Sequence, residues 1–288
     1  MASFKTEIIE ALFNRRWDPT AMTLSDPVVT LLDVQEAIAE YNARLKPARP
    51  FSTRNPANFF KDYTRRTRLA NEHWPASVLQ RGFTARQLTS KGLCFEFVPL
   101  QPGQATPFAG IIAPPGAATA RREIGTVGLP LASRRLGRGD EPWLLQVLVR
   151  LQVIETHLAL FSTRTIVQVD HLQMSVKLAK SEIDALFLAT EKDDSGTGNE
   201  ILICCEAKGR GDDILADQIV RQVQALFDAS GMDQNMIIPI AVKAVGPSQV
   251  HVIEFEAVSR EDSKSVTLLK PVSQAVYELV PVVPGIGI

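Results

Sequence analysis

Residues 181–210 read SEIDALFLATEKDDSGTGNEILICCEAKGR, and this stretch decides how the second half of the chain folds. Residues 183–189 and 201–205 are short, nearly continuous apolar runs, the pattern of strands buried on both faces. The polar, glycine-bearing segment 191–200 between them is expected to be a hairpin-type loop. The second run passes straight into Glu206, Ala207 and Lys208. Side chains two apart on a strand share a face, so Glu206 and Lys208 are expected to project together. Asp184 stands near the start of the partner run, with Glu182 two residues before it on the same side.

Carboxylates beside an apolar core are costly unless a cation or hydrogen bonds compensate them. Two carboxylates and one amine on adjacent strands would meet that demand with a bound Mg²⁺, which takes one or two protein carboxylates and fills its octahedron with water and substrate phosphate. Asp184 and Glu206 are the expected metal ligands, the metal activating a water and stabilising phosphoryl charge. Lys208 is expected to orient or help deprotonate that water, or to stabilise the transition state.

Working outward, residues 142–160 have helical spacing with Pro142 near the start, and residues 165–169 are strand-like. Asp212 or Asp213 is placed to cap a helix running to about residue 229, where Ser230 and Gly231 end it. Residues 236–245 and 250–258 supply two more strands. The fold class is α/β (α+β), a mixed sheet flanked by helices. This order, with the acidic residue on one strand of a hairpin and Glu206-Ala207-Lys208 on the other, resembles the PD-(D/E)XK, or restriction-endonuclease-like, nuclease superfamily over about residues 141–258. Ile183 stands where that pattern has its proline. The resemblance implies a further carboxylate from the preceding helix, for which Glu155 is the candidate and Glu182 the alternative. It also implies accessory roles for Gln218 and Gln222, one turn apart on the following helix; Arg210, just past Lys208, is a candidate for a phosphate contact or an ordinary solvated arginine.

The net charge of −1 conceals an asymmetry: residues 1–140 carry a surplus of +7 and residues 141–288 one of −8. A basic half is a recognised sign of a nucleic-acid partner. Residues 1–99 are expected to form a mostly helical, winged-helix-like (helix-turn-helix-like) DNA-recognition domain. Its first helix spans about residues 33–45, and its second, 55–68, carries Asn55, Asn58, Lys61, Arg65, Arg66 and Arg68. Residues 82–99 are read as a wing-like hairpin. Residues 100–140, rich in Gly, Pro and Arg, are read as a linker or long loop, and residues 141–288 as the nuclease domain.

Other chemistries are set aside. Cys94, Cys204 and Cys205 offer neither a disulfide framework nor zinc spacing, and His73, His157, His171 and His251 show no metal-ligand spacing. Glycine-rich nucleotide loops and the Gly-x-Ser-x-Gly motif are absent, so no nucleotide cofactor is expected. No apolar run is long enough for a membrane span, and the first ten residues lack a signal peptide's core, so a cytoplasmic location is expected. The expectation is a Mg²⁺-dependent, sequence-specific endonuclease of double-stranded DNA, most like a type II restriction endonuclease. The alternatives are a structure-specific or repair nuclease of the same fold, or a non-cutting DNA-binding regulator. A homodimer is expected, with the apolar run 279–288 packing at its interface.

Overall fold

A computed structural model of the chain describes residues 4–64, 67–88, 91–101, 103–108, 113–178, 181–192 and 196–288. The chain divides into two compact units, Met1–Ala109 and Gly110–Ile288.

The first unit contains α1 (Phe4–Asn14), a two-residue strand pair β1 (Trp17–Asp18) and β2 (Thr23–Leu24), β3 (Val28–Thr30) and α2 (Leu31–Leu45). It continues with α3 (Asn58–Thr64), α4 (Thr67–His73), α5 (Ala76–Gln80), β4 (Phe83–Gln87) and β5 (Leu93–Pro99). Local chemistry sets the limits of α2. Thr30 and Asp33 form a reciprocal capping box at its start, and Lys46, in the left-handed region at φ 45°, closes it. The expected hairpin forms: β4 and β5 pair antiparallel, and β3 adds to β5, giving a three-stranded sheet in the order β3-β5-β4. Ile8, Ile9, Leu12, Phe13, Val34, Ile38, Phe60, Phe95 and Phe97 form its core.

The second expected helix departs from its reading. Its start lies later than expected: α3 begins at Asn58, leaving Asn55 outside it, and helix is described again as α4 from Thr67. Phe59, Phe60 and Tyr63 are buried, which fixes α3 by packing. Arg65 and Arg66 lie outside the described residues.

In the second unit come β6 (Ala120–Gly125), α6 (Leu131–Arg135), α7 (Glu141–Arg150), α8 (Val153–Phe161), β7 (Ile166–Lys177), β8 (Glu182–Lys192) and β9 (Gly198–Lys208). They are followed by α9 (Ala216–Asp228), β10 (Met236–Gly246), β11 (Gln249–Phe255), the short β12 (Val258–Ser259) and β13 (Pro271–Val280). One mixed sheet runs β6-β13-β11-β10-β9-β8-β7, with β12 beside β10. β9 and β10 are parallel and joined through α9; β13 and β6 are also parallel, and the other neighbours are antiparallel. On one face, Leu144, Leu148, Ile154 and Leu158 of α7 and α8 pack on Phe187, Ile203 and Cys205. On the other, Ile219, Val223 and Leu226 of α9 pack on Leu186, Leu202 and Cys204. Both faces of β8 and β9 are therefore covered, which is why their sequences read as unbroken apolar runs.

Four boundaries differ from the sequence reading. The stretch 100–140 is not all linker, because Ala120–Gly125 is an edge strand paired with β13. The helix expected over 142–160 is two helices, broken where Gln152 takes φ 52° and bent by 63°. The polar segment 191–200 contributes ladder at both ends, since Glu191 pairs with Asn199 and Lys192 with Gly198. Helix α9 begins at Ala216 with Leu215 as its cap and no side-chain cap bond; Asp213 instead pairs with Lys243 at 3.5 Å.

Part of the C-terminal run packs within its own unit. Val283 and Ile286 are about 1% exposed within this unit's own core, and the Trp143 indole donates to Pro284 O at 2.8 Å. Leu279, Val283 and Ile286 are thus used within the unit's own core, while Val280, Val282 and Ile288 of the same run are exposed. No single helix among the described residues is long and apolar enough to cross a membrane.

Candidate functional site

The site sits at one end of the β8–β9 hairpin, on the face covered by α9. Asp184 and Glu206 follow directly on the Ala185–Cys205 pair of the ladder. The backbone N–H of Ala207 donates to Asp184 Oδ2 at 2.8 Å, tying the two strand ends together. Glu206 is 1% exposed, so its charge needs compensation from inside the protein. It receives three donors. Lys208 Nζ and Gln218 Nε2 donate to Oε1, and Gln222 Nε2 donates to Oε2. Gln222, itself fully buried, also donates to the Glu182 carbonyl at 2.9 Å, so α9 is pinned to both strands through one amide.

Spacing explains the convergence. Glu206 and Lys208 are two apart on β9 and share a face. Gln218 and Gln222 are four apart on α9 and lie one above the other, aimed at the same strand. The expected strand-end constellation of Asp184, Glu206 and Lys208 is thus assembled, with both glutamines in contact with its centre.

Glu155 is not part of it. Its carboxylate lies near Asp170 of β7, and burial, together with that neighbouring charge, pushes its pKa up; one of its oxygens is buried with no partner among the described residues. The break at Gln152 puts Glu155 on a second helix, α8, which packs against β7 and β13 and not against the β9 strand end. The upstream carboxylate that does reach the site is Glu141, whose Oε1 lies 3.6 Å from Lys208 Nζ. Glu141 is the first residue of α7, placed by the Asp140 cap that accepts the Trp143 N–H at 3.0 Å. The sequence signal for it was the run Asp140-Glu141-Pro142, a cap followed by an acid and a proline in the first turn. Glu182 presents its carbonyl to Gln222, while its side chain is exposed. Arg210 donates to the Gly287 carbonyl at 3.3 Å, which ties it to the C-terminal segment.

Electrostatics follow from three carboxylates around one ammonium. Burial, then the neighbouring Glu206 charge, push the Asp184 carboxyl up to about 8, with Lys208 and the Ala207 N–H acting against them. Burial alone would lower the Lys208 ammonium, but Glu206, Glu141 and Asp184 outweigh it and hold its pKa above the ordinary value. Cys204 and Cys205 have thiols pushed up by burial, to about 12 for Cys204, which leaves no thiolate nucleophile here. Among the described residues no set of three or more His, Cys, Asp or Glu side chains forms a metal cage.

Of the expected DNA-contacting residues in the first unit, Asn55, Asn58 and Lys61 are exposed. Arg68 is ion-paired with Glu72 at 3.0 Å along α4. Comparison of this chain with family models, with curated proteins and with solved structures gives no match.

Proposed function

We propose that this protein is a Mg²⁺-dependent endonuclease of double-stranded DNA, of the restriction-endonuclease-like class and most like a type II restriction enzyme. The observation that carries the reading is the meeting of Asp184, Glu206 and Lys208 at the end of one buried hairpin, under an α9 whose Gln218 and Gln222 hold Glu206. Three carboxylates facing one ammonium leave the site short of positive charge. That deficit and the hard oxygen donors suit a divalent cation, and Mg²⁺ needs only one or two protein carboxylates.

Asp184 and Glu206 would hold the metal: Asp184 Oδ2 is engaged by Ala207, leaving Oδ1, and Glu206 Oε2 has the Gln222 amide as its donor. When bound, Mg²⁺ lowers the pKa of a water and offsets charge on the phosphoryl oxygens. Lys208, kept protonated by its carboxylates, donates to the oxygens on which charge grows in the transition state. Glu141 holds the Lys208 ammonium from the α7 side. Gln218 and Gln222 restrict the rotamer of Glu206, so that its carboxylate keeps one orientation through the reaction. The basic first unit supplies affinity for the duplex, and a homodimer would cut both strands.

Digestion of defined duplex DNAs tests this. With Mg²⁺ the intact protein is expected to yield discrete fragments, while EDTA, Asp184→Asn or Glu206→Gln abolishes cutting and leaves binding intact. Wild-type cutting by both variants, or in EDTA, would end the reading; ragged, sequence-independent products would replace restriction by structure-specific cleavage.

A further inference from the structure

Between Glu40 and Asp62 the chain carries five cations and no carboxylate: Arg44, Lys46, Arg49, Arg54 and Lys61. Many cations of the first unit are neutralised locally. Arg16 pairs with Asp33 at 2.8 Å, Arg44 with Glu7 at 3.2 Å and Arg68 with Glu72 at 3.0 Å. Arg15 pairs with Glu40 and Arg86 with Glu96, and Arg81 lies over the rings of Phe13 and Trp17. Lys46, Arg49 and Arg54 are different. All three are exposed, and no carboxylate among the described residues forms an ion pair with them.

The strap that carries them, residues 46–54, is held in place. Asn42 brackets Phe51, donating to its carbonyl at 2.9 Å and accepting its N–H at 3.0 Å. Gln35 donates to the Thr53 carbonyl at 3.2 Å, and the Phe51 ring stacks on Phe4 with centroids 3.5 Å apart. Pro47 and Pro50 fix two backbone φ angles between these anchors. An anchored strap with uncompensated positive charge suits a polyanion, because little backbone entropy remains to be lost on binding.

We infer that the strap 46–54 is where the first unit grips the phosphodiester backbone of duplex DNA, through Lys46, Arg49 and Arg54, and that Arg68 adds little because Glu72 already holds it. This rests on the endonuclease reading, and it adds the segment before α3 to the cations that meet the duplex. Phosphate contacts of this kind position the protein on the duplex and carry no sequence information, so base reading lies elsewhere.

The test is fluorescence anisotropy of a labelled duplex with the intact chain, in EDTA, across a potassium chloride series, beside Mg²⁺-dependent cleavage of the same duplex. Each neutralised phosphate contributes about 0.9 to the slope of log K against log salt, so Lys46→Gln/Arg49→Gln/Arg54→Gln should lower the slope by about 2.7. Arg68→Gln should keep the wild-type slope. Thermal unfolding shows whether the triple variant is folded; if it is not, each single variant should lower the slope by about 0.9. A folded triple variant with the wild-type slope overturns the strap, as does an intact protein that binds no duplex at low salt. Cleavage by wild type with an unchanged slope in the triple variant removes the strap and keeps the nuclease. Binding without cleavage, with the slope lowered in the triple variant, removes the nuclease and keeps the strap.

Discussion

Replacing Lys208 by Met keeps most of the side-chain volume and removes the ammonium that faces Glu206. Glu206 is 1% exposed and the Lys208 side chain 14%, so water screens neither partner well. Breaking a buried pair by removing one member costs about 3–5 kcal/mol, because the remaining charge is left without compensation. Gln218 and Gln222 still donate to Glu206, which places the expected loss at the lower end, about 3 kcal/mol. At 1.4 kcal/mol per tenfold, this is roughly a hundredfold rise in the opening equilibrium of the hairpin. Hydrogen exchange of the β8 and β9 amides in EDTA measures it within the second unit alone. The double variant Glu206→Gln/Lys208→Met should regain most of the loss, since removing both partners leaves no orphaned charge, and the cycle yields their coupling. Added Mg²⁺ should restore protection in Lys208→Met, by about 2.7 kcal/mol at a hundredfold excess over its dissociation constant. Cleavage should still fall about a hundredfold or more, because the transition state loses its donor. Wild-type exchange in Lys208→Met, or a double variant no better than the single, would refute the view that this lysine compensates Glu206.

His157 tests pH dependence. It is fully buried between Tyr277 OH at 3.2 Å and Ser273 Oγ at 2.9 Å; burial, then the nearby His251, lower its pKa from 6.5 to about 4. The unfolded chain then binds more protons between those values, so its stabilising contribution is full above pH 6.5 and is lost by about 3 kcal/mol as pH falls to 4. Because Asp184, raised to about 8, contributes an opposite slope over this range, the measured quantity is the difference: urea titrations of wild type and His157→Gln should diverge by that slope between pH 6.5 and 4. Gly287→Ala should destabilise the second unit by about 2 kcal/mol or more, as its Cβ would stand 1.9 Å from Gly246 O at φ +68°. Gly116→Ala, with nothing within 4 Å of the added atom, should change the melting temperature little. Glu141→Gln should slow cleavage by loosening the hold on Lys208, whereas Glu155→Gln should leave cleavage at the wild-type rate. Equal activity in the two variants would remove Glu141 from the site.

The buried hairpin and its charged end were legible because they depend on short-range rules. A strand covered on both faces must be apolar throughout, and residues two apart must share a face; these rules placed Asp184, Glu206 and Lys208 before any coordinate did. Helical spacing likewise set Gln218 and Gln222 on one side of α9. The capping box of Thr30 and Asp33 shows how local chemistry alone can start a helix, in this case α2.

What escaped the sequence was decided by contacts between distant segments. Residues 142–160 keep one helical rhythm across Leu151 and Gln152, and only packing against the sheet bends them there; that bend sends Glu155 to Asp170 and leaves Glu141 beside Lys208. Residues 120–125, read as linker, become a strand because β13 lies beside them, more than a hundred residues later in the chain. The apolar run 279–288 offered no way to tell which side chains its own core takes, since hydrophobicity is non-directional; the structure buries Leu279, Val283 and Ile286 and leaves Val280, Val282 and Ile288 exposed. The sequence by itself determined which charged groups stand at the end of the buried hairpin and which strand face they share. The tertiary structure decided which upstream carboxylate joins them, because that choice depends on the direction a helix takes after a single residue in the left-handed region.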